Sequence, residues 1–210
     1  MTIRIRLRSR LILFAVATVA LVLGCDPGAS FTTSGACLID GRVAGAYPEL
    51  EALIPRSFGG KVPTTLDSGR NCSDKALGTL VAHDVHELRF AGATWDAGGG
   101  AGTSIAELAL PTNNLPVAWI EEFYQVGAQT ASKTDNVTPS RPTYPGVGST
   151  FRVDVLNDLS FQSIVVWPDG SRVRVVIVAS PVSPSASMAD HDAQVEAAVA
   201  AAAPVPVLSP

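Results

Sequence analysis

Residues 151–179 read FRVDVLNDLSFQSIVVWPDGSRVRVVIVA, and their alternation decides the fold class. Phe151, Val153 and Val155 are interleaved with Arg152 and Asp154, the period-two pattern of a strand with one face toward solvent. Leu159–Trp167 and Arg172–Ala179 are rich in β-branched residues and flank Pro168-Asp169-Gly170-Ser171, a tight-turn sequence that joins antiparallel strands. Arg172 and Arg174 share one face of the second strand, and two basic residues do not make a polyanion site.

Upstream, Leu88–Trp95 and Ser104–Leu110 predict a second strand pair. The Gly98–Gly102 run between them joins two strands instead of opening a helix and lacks the lysine of a phosphate loop, so it reads as a hairpin tip. Asn114 can cap a helix over Leu115–Thr130 with the inward stripe Trp119, Ile120, Phe123, Val126 and Gly127, and 131–146 reads as a long loop. Tyr47–Pro55 is a short helix with Pro48 in its first turn and Pro55 at its end. Gly59-Gly60 then breaks the chain, and Ser73 can cap a second helix faced by Ala76, Leu77, Leu80 and Val81. Near the C-terminus, Ser187 and Asp190 match a capping box ahead of Val195, Ala198, Val199 and Ala202. The expectation is one α+β domain over 47–203 with the order α-α-β-β-α-β-β-β-α. Its sheet would be mostly antiparallel, of about five strands, with helices packed on one face. Residues 204–210 would be a disordered tail.

The chain has 210 residues, 47% of them hydrophobic and 16% charged, enough apolar material for a packed core. A formal charge of −4 and a pI near 5.3 argue against a nucleic-acid partner, which needs a basic face.

Residues 1–24 read as a leader rather than fold. Arg4, Arg6, Arg8 and Arg10 precede an uncharged apolar run over Leu11–Leu23, the length of a secretory signal and short for a membrane span. The run ends in Leu21-Val22-Leu23-Gly24-Cys25, which resembles the lipobox of bacterial lipoproteins. The resemblance implies cleavage before Cys25 and a diacylglycerol thioether on its thiol, so that Cys25 becomes the acylated N-terminus, with palmitate-class chains anchoring it on the extracytoplasmic face of the cell membrane. Asp26, directly after the Cys, resembles a retention signal at the inner membrane in some two-membrane envelopes. Four of the 15 basic residues and none of the 19 acidic ones precede Cys25, leaving 11 against 19 and a formal charge of −8. Residues 25–46, rich in Gly, Ser, Thr and Ala, would be an acylated N-terminus and flexible tether. The Leu-Glu-Ala-Leu-Ile-Pro helix followed by Gly-Gly and a small α+β domain also looks like uncharacterised lipoproteins from high-GC bacteria, a resemblance that carries no activity.

Outside the cytoplasm, the two remaining thiols, Cys37 and Cys72, suggest a disulfide. A catalytic thiol is the alternative, but it needs a His partner and suffers in an oxidising compartment.

Candidate chemistry is sparse. His83-Asp84-Val85-His86 is the one local cluster that resembles a metal site, without the Glu and the i+4 spacing of HExxH. Continuing the preceding helix would put Asp84 on its apolar face, so the helix is expected to end near His83. In Asp190-His191-Asp192, consecutive residues do not face each other on a helix. Asn136-Val137-Thr138 matches a glycosylation sequon, which means little on a bacterial protein. Trp95 and Trp167, at strand ends, could line a ligand site at a sheet rim or pack in the core. These features point to a membrane-anchored, non-enzymatic binding module for an envelope protein or small molecule, with no cofactor. The alternatives are a metal-assisted hydrolase using His83, His86 and Asp84, and a solute-binding lipoprotein, for which the mature chain is short.

Overall fold

The hairpin expected at Pro168–Ser171 lies at the centre of the sheet. A computed structural model of the chain describes residues 31–131, 134, 136–156, 160–182 and 187–203. The expected leader over 1–24, Cys25 and the expected tail over 204–210 lie outside the described residues. In chain order the strands are β1 Gly41–Val43, β2 Thr65–Asn71, β3 Leu88–Gly98, β4 Ala101–Ala109, β5 Asn136–Ser140, β6 Thr143–Tyr144, β7 Gly148–Ser149, β8 Phe151–Leu156, β9 Ser160–Asp169 and β10 Arg172–Pro181. The helices are α1 Pro48–Glu51, α2 Asp74–Leu77 continued by a 3-10 turn over Gly78–His83, α3 Val117–Thr130 and α4 Met188–Ala202.

Among the described residues all strand pairs are antiparallel, and the sheet is wider than the five strands expected. Eight strands run in the order β1-β2-β3-β4-β10-β9-β8-β5, with β6-β7 a separate two-stranded ribbon. The five strands read from sequence are β3, β4, β8, β9 and β10. The three added to the main sheet lack an apolar alternation. β2 reads Thr-Leu-Asp-Ser-Gly-Arg-Asn, and β5, inside the expected loop 131–146, is mostly exposed and contains Pro139 at the sheet edge.

The helices cover both faces, not one. On β10, Val173 and Val175 point to the layer made by α2, the 3-10 turn and α3, where they meet Leu77, Leu80 and Ile120. Val176 and Val178 point the other way, toward Leu50 and Ile54 around α1 and Val195, Ala198 and Val199 of α4. A strand buried on both sides loses the polar alternation of a half-exposed one. That is why Val-Val-Ile-Val runs unbroken through β10.

Local caps follow the sequence closely. The Ser73 hydroxyl accepts from the Ala76 amide, and Ser187 and Asp190 form a reciprocal capping box on α4. Pro48 sits in the first turn of α1. Asn114 does not cap α3, which starts after Pro116 with no side-chain cap. The fold also begins before Tyr47: β1 pairs with β2, and Cys37 and Cys72 are disulfide-bonded with Cα atoms 5.2 Å apart. Part of the expected 25–46 tether is therefore folded structure.

Candidate functional site

The two histidines of the expected metal cluster are not brought together. Asp84 adopts a left-handed φ of 60°, which ends the 3-10 turn and turns the chain off its axis. His83 stays on the turn, stacks on Trp119 of α3 with ring centres 4.6 Å apart, and places Nε2 2.7 Å from Glu122 Oε2. His86 projects into solvent, 79% exposed, with Asp84 Oδ1 3.1 Å from its Nε2. Among the described residues, no group of three or more His, Cys, Asp or Glu side chains could hold a metal ion. His83 thus fastens the 3-10 turn to α3.

The richest polar chemistry lies on the opposite face, between the sheet and α1 and α4. Glu107 on β4 and Arg174 on β10 are direct cross-strand partners, and Arg172 is the next residue along that face. Glu107 is fully buried. Its Oε1 lies 2.7 Å from Arg172 Nε and its Oε2 2.6 Å from Arg174 Nε. Arg174 also reaches Asp169 Oδ2 at 3.0 Å and donates to the Leu53 carbonyl just past α1 at 2.9 Å. Burial pushes the Glu107 carboxyl up, and the Arg174 and Arg172 guanidiniums work against that push.

A second network fastens α4. His191 points inward from its first turn, with Nε2 2.8 Å from Ser163 Oγ on β9 and Nδ1 2.9 Å from Ser180 Oγ on β10. Ser163 faces Asp154 across the β8–β9 ladder and donates to its Oδ1. Arg152 donates to Ser163 at 3.1 Å, to Asp154 at 2.7 Å and to Asp192 of α4. With the Ser163 proton directed at Asp154, Ser163 Oγ is the acceptor for His191 Nε2, while Ser180 Oγ, beside His191 Nδ1, donates to Gln194 Oε1 at 3.1 Å. Burial, then the Arg152 charge, lowers the His191 pKa, against Asp192 and Asp154. Burial also works against the Arg152 charge, but the hydrogen bonds to Asp192 and Asp154 outweigh it and raise its pKa.

Serine beside histidine is the pairing that nucleophilic catalysis uses. Here Ser163 is 1% exposed, and the far nitrogen of His191 meets a hydroxyl instead of an orienting carboxylate. A substrate carbonyl has no approach to Ser163 in this arrangement. The three residues of Asp190-His191-Asp192 diverge as expected, to the cap, the core and Arg152 respectively. The role of His191 in the core was missed from sequence. Its position four residues before Val195, on the apolar face of α4, was the available signal.

No protein family, curated protein or solved structure matches this chain. The remaining candidates have structural places. Trp95 and Trp167 are buried in the core facing α1 and α4, with Trp95 Nε1 donating to the Lys61 carbonyl at 3.0 Å. Gly98, Gly99 and Gly100 all have positive φ at the β3–β4 hairpin tip, a conformation that glycine adopts without steric cost. No helix among the described residues is long and apolar enough to cross a membrane.

Proposed function

We propose that this chain is a lipid-anchored lipoprotein on the extracytoplasmic face of the cell membrane, and that its domain is a binding or interaction module and not an enzyme. The observation that carries the reading is the register of Arg4–Arg10, the apolar run Leu11–Leu23, Gly24 and Cys25. The Cys37–Cys72 disulfide supports it, because such bonds persist mainly in oxidising compartments. The absence of an enzymatic role rests on how the reactive groups are used. Ser163 and His191 are buried against each other, Glu107 is held by two arginines, and His83 and His86 point apart. The natural ligand would be an envelope protein or a small molecule.

Fractionation and mass test this directly. The full chain should remain with membranes through a high-salt wash and carry acyl mass on Cys25, while Cys25→Ala should be released. A Cys25→Ala protein that still sediments with washed membranes refutes the anchor. Bound metal in the purified protein, lost on replacing both His83 and His86, refutes the non-enzymatic reading.

A further inference from the structure

The segment Phe31–Ile39 contains no ionisable side chain apart from the disulfide-bonded Cys37, yet Thr32–Ala36 are exposed and Leu38 is 81% exposed. It is not a loose strand of chain. The Phe31 ring lies where a side chain on Gly41 would be, so the two ends of the loop meet. Arg70 donates to the carbonyls of Ser34, Gly35 and Ala36 at 3.1–3.4 Å, turning its charge inward. Cys37 is bonded to Cys72, and Asp40 accepts from the Cys72 and Ser73 amides at 2.6 and 2.8 Å and from the Ser73 hydroxyl. Arg42, the next charge along, is paired with Asp67. The fold therefore holds a leucine out in water on a braced, uncharged loop, with Arg70 turned inward, Arg42 paired with Asp67 and the Asp40 carboxylate tied to the Cys72 and Ser73 amides.

The chain length limits where this loop can be. Five residues separate Cys25 from Phe31, and six residue steps span at most about 22 Å when fully extended. The rest of the domain is acidic, and an anionic membrane surface repels it. An uncharged loop with an exposed leucine is the surface that can approach.

Resting on the lipid-anchor reading, we propose that Phe31–Ile39 is the surface this domain lays on its own membrane, with Leu38 entering the boundary between headgroups and acyl chains. The occupant of the exposed patch is the bilayer that holds Cys25. The contact fixes the orientation of the sheet. The end of β2 bearing Cys72 faces the lipid, and the opposite end, where Val62 is 78% exposed, faces away.

The test uses full-length lipidated protein in vesicles of phosphatidylethanolamine and phosphatidylglycerol with brominated acyl chains. Leu38→Trp and Val62→Trp place a reporter at each end, over the same background of three native tryptophans. The added emission at position 38 should shift to the blue and fall by at least twofold with brominated lipid, while that at position 62 should not change. Ala36→Trp, on the same loop, should follow position 38 and guards against a local packing fault in either variant. If the acylated protein floats with the vesicles but position 38 is quenched no more than position 62, the docking surface is refuted and the anchor stands. If Cys25 carries no acyl chain, the anchor fails and the proposal fails with it.

Discussion

Replacing Glu107 with Gln keeps its shape and removes the charge that two arginines share. The carboxylate is fully buried between Arg172 and Arg174, at 2.7 and 2.6 Å. Removing one partner of a buried ion pair costs about 3–5 kcal/mol, because the other charge stays desolvated without compensation. The lower end applies here. Arg174 keeps Asp169 and the Leu53 carbonyl, and the Arg172 side chain is 31% exposed and can turn to water. A loss of about 3 kcal/mol corresponds to a drop of about 6–12 °C in Tm for a domain of this size. The assay is urea unfolding with the disulfide intact, followed through Trp95 and Trp167, which are buried on the same face. Combining Glu107→Met with Arg174→Met should cost less than the sum of the single changes by at least about 1 kcal/mol, since the pair leaves together. A Glu107→Gln loss under about 1 kcal/mol, or an additive cycle, would refute the view that this pair organises the β4–β10 seam.

Reducing Cys37–Cys72 should lower stability by about 4 kcal/mol in the chain-entropy picture for a separation of 35 residues, measured by unfolding with and without reductant. His191 titrates lower in the fold than in the open chain, so the unfolded state binds the proton first. Stability should be complete above the ordinary histidine value near 6.5 and decline as pH falls from there toward the folded value. His191→Gln should flatten that part of a Tm-against-pH profile, and an unchanged profile would show that another group dominates. Gly69→Ala should detach β1, because a Cβ there collides with the Gly41 carbonyl and Arg42. Hydrogen exchange should then lose protection at Gly41–Val43 while the β9–β10 amides keep theirs.

Much of the sheet was legible because a strand's burial pattern is written in its own residues. The alternation of Phe151, Val153 and Val155 marks β8, and the turn at Pro168–Ser171 pins the β9–β10 register. The unbroken apolar run in β10 also signalled burial on both faces, which the one-faced reading passed over. β2 was not legible. Its buried end, Ser68–Asn71, is mostly polar, and Ser68 and Arg70 find partners that are distant in sequence, Glu51 and Glu87. The histidine motif misled for a related reason. A spacing of three residues implies a shared face only while the helix continues, and the left-handed Asp84 ends it.

The sequence by itself determined what depends on neighbouring residues: the capping box of α4, the central hairpin and the alternation of its strands. Tertiary structure alone decided which strands became neighbours, and with that the width of the sheet and the partners of its buried charges. Strand pairing is made by backbone donors and acceptors that nearly every residue carries, so β1, β2 and β5 join through pairing that their side chains do not announce. Glu107 and Arg174 are 67 positions apart in the chain and meet because β4 and β10 are adjacent. A charge buried that deeply is stable only where the fold brings its counterion.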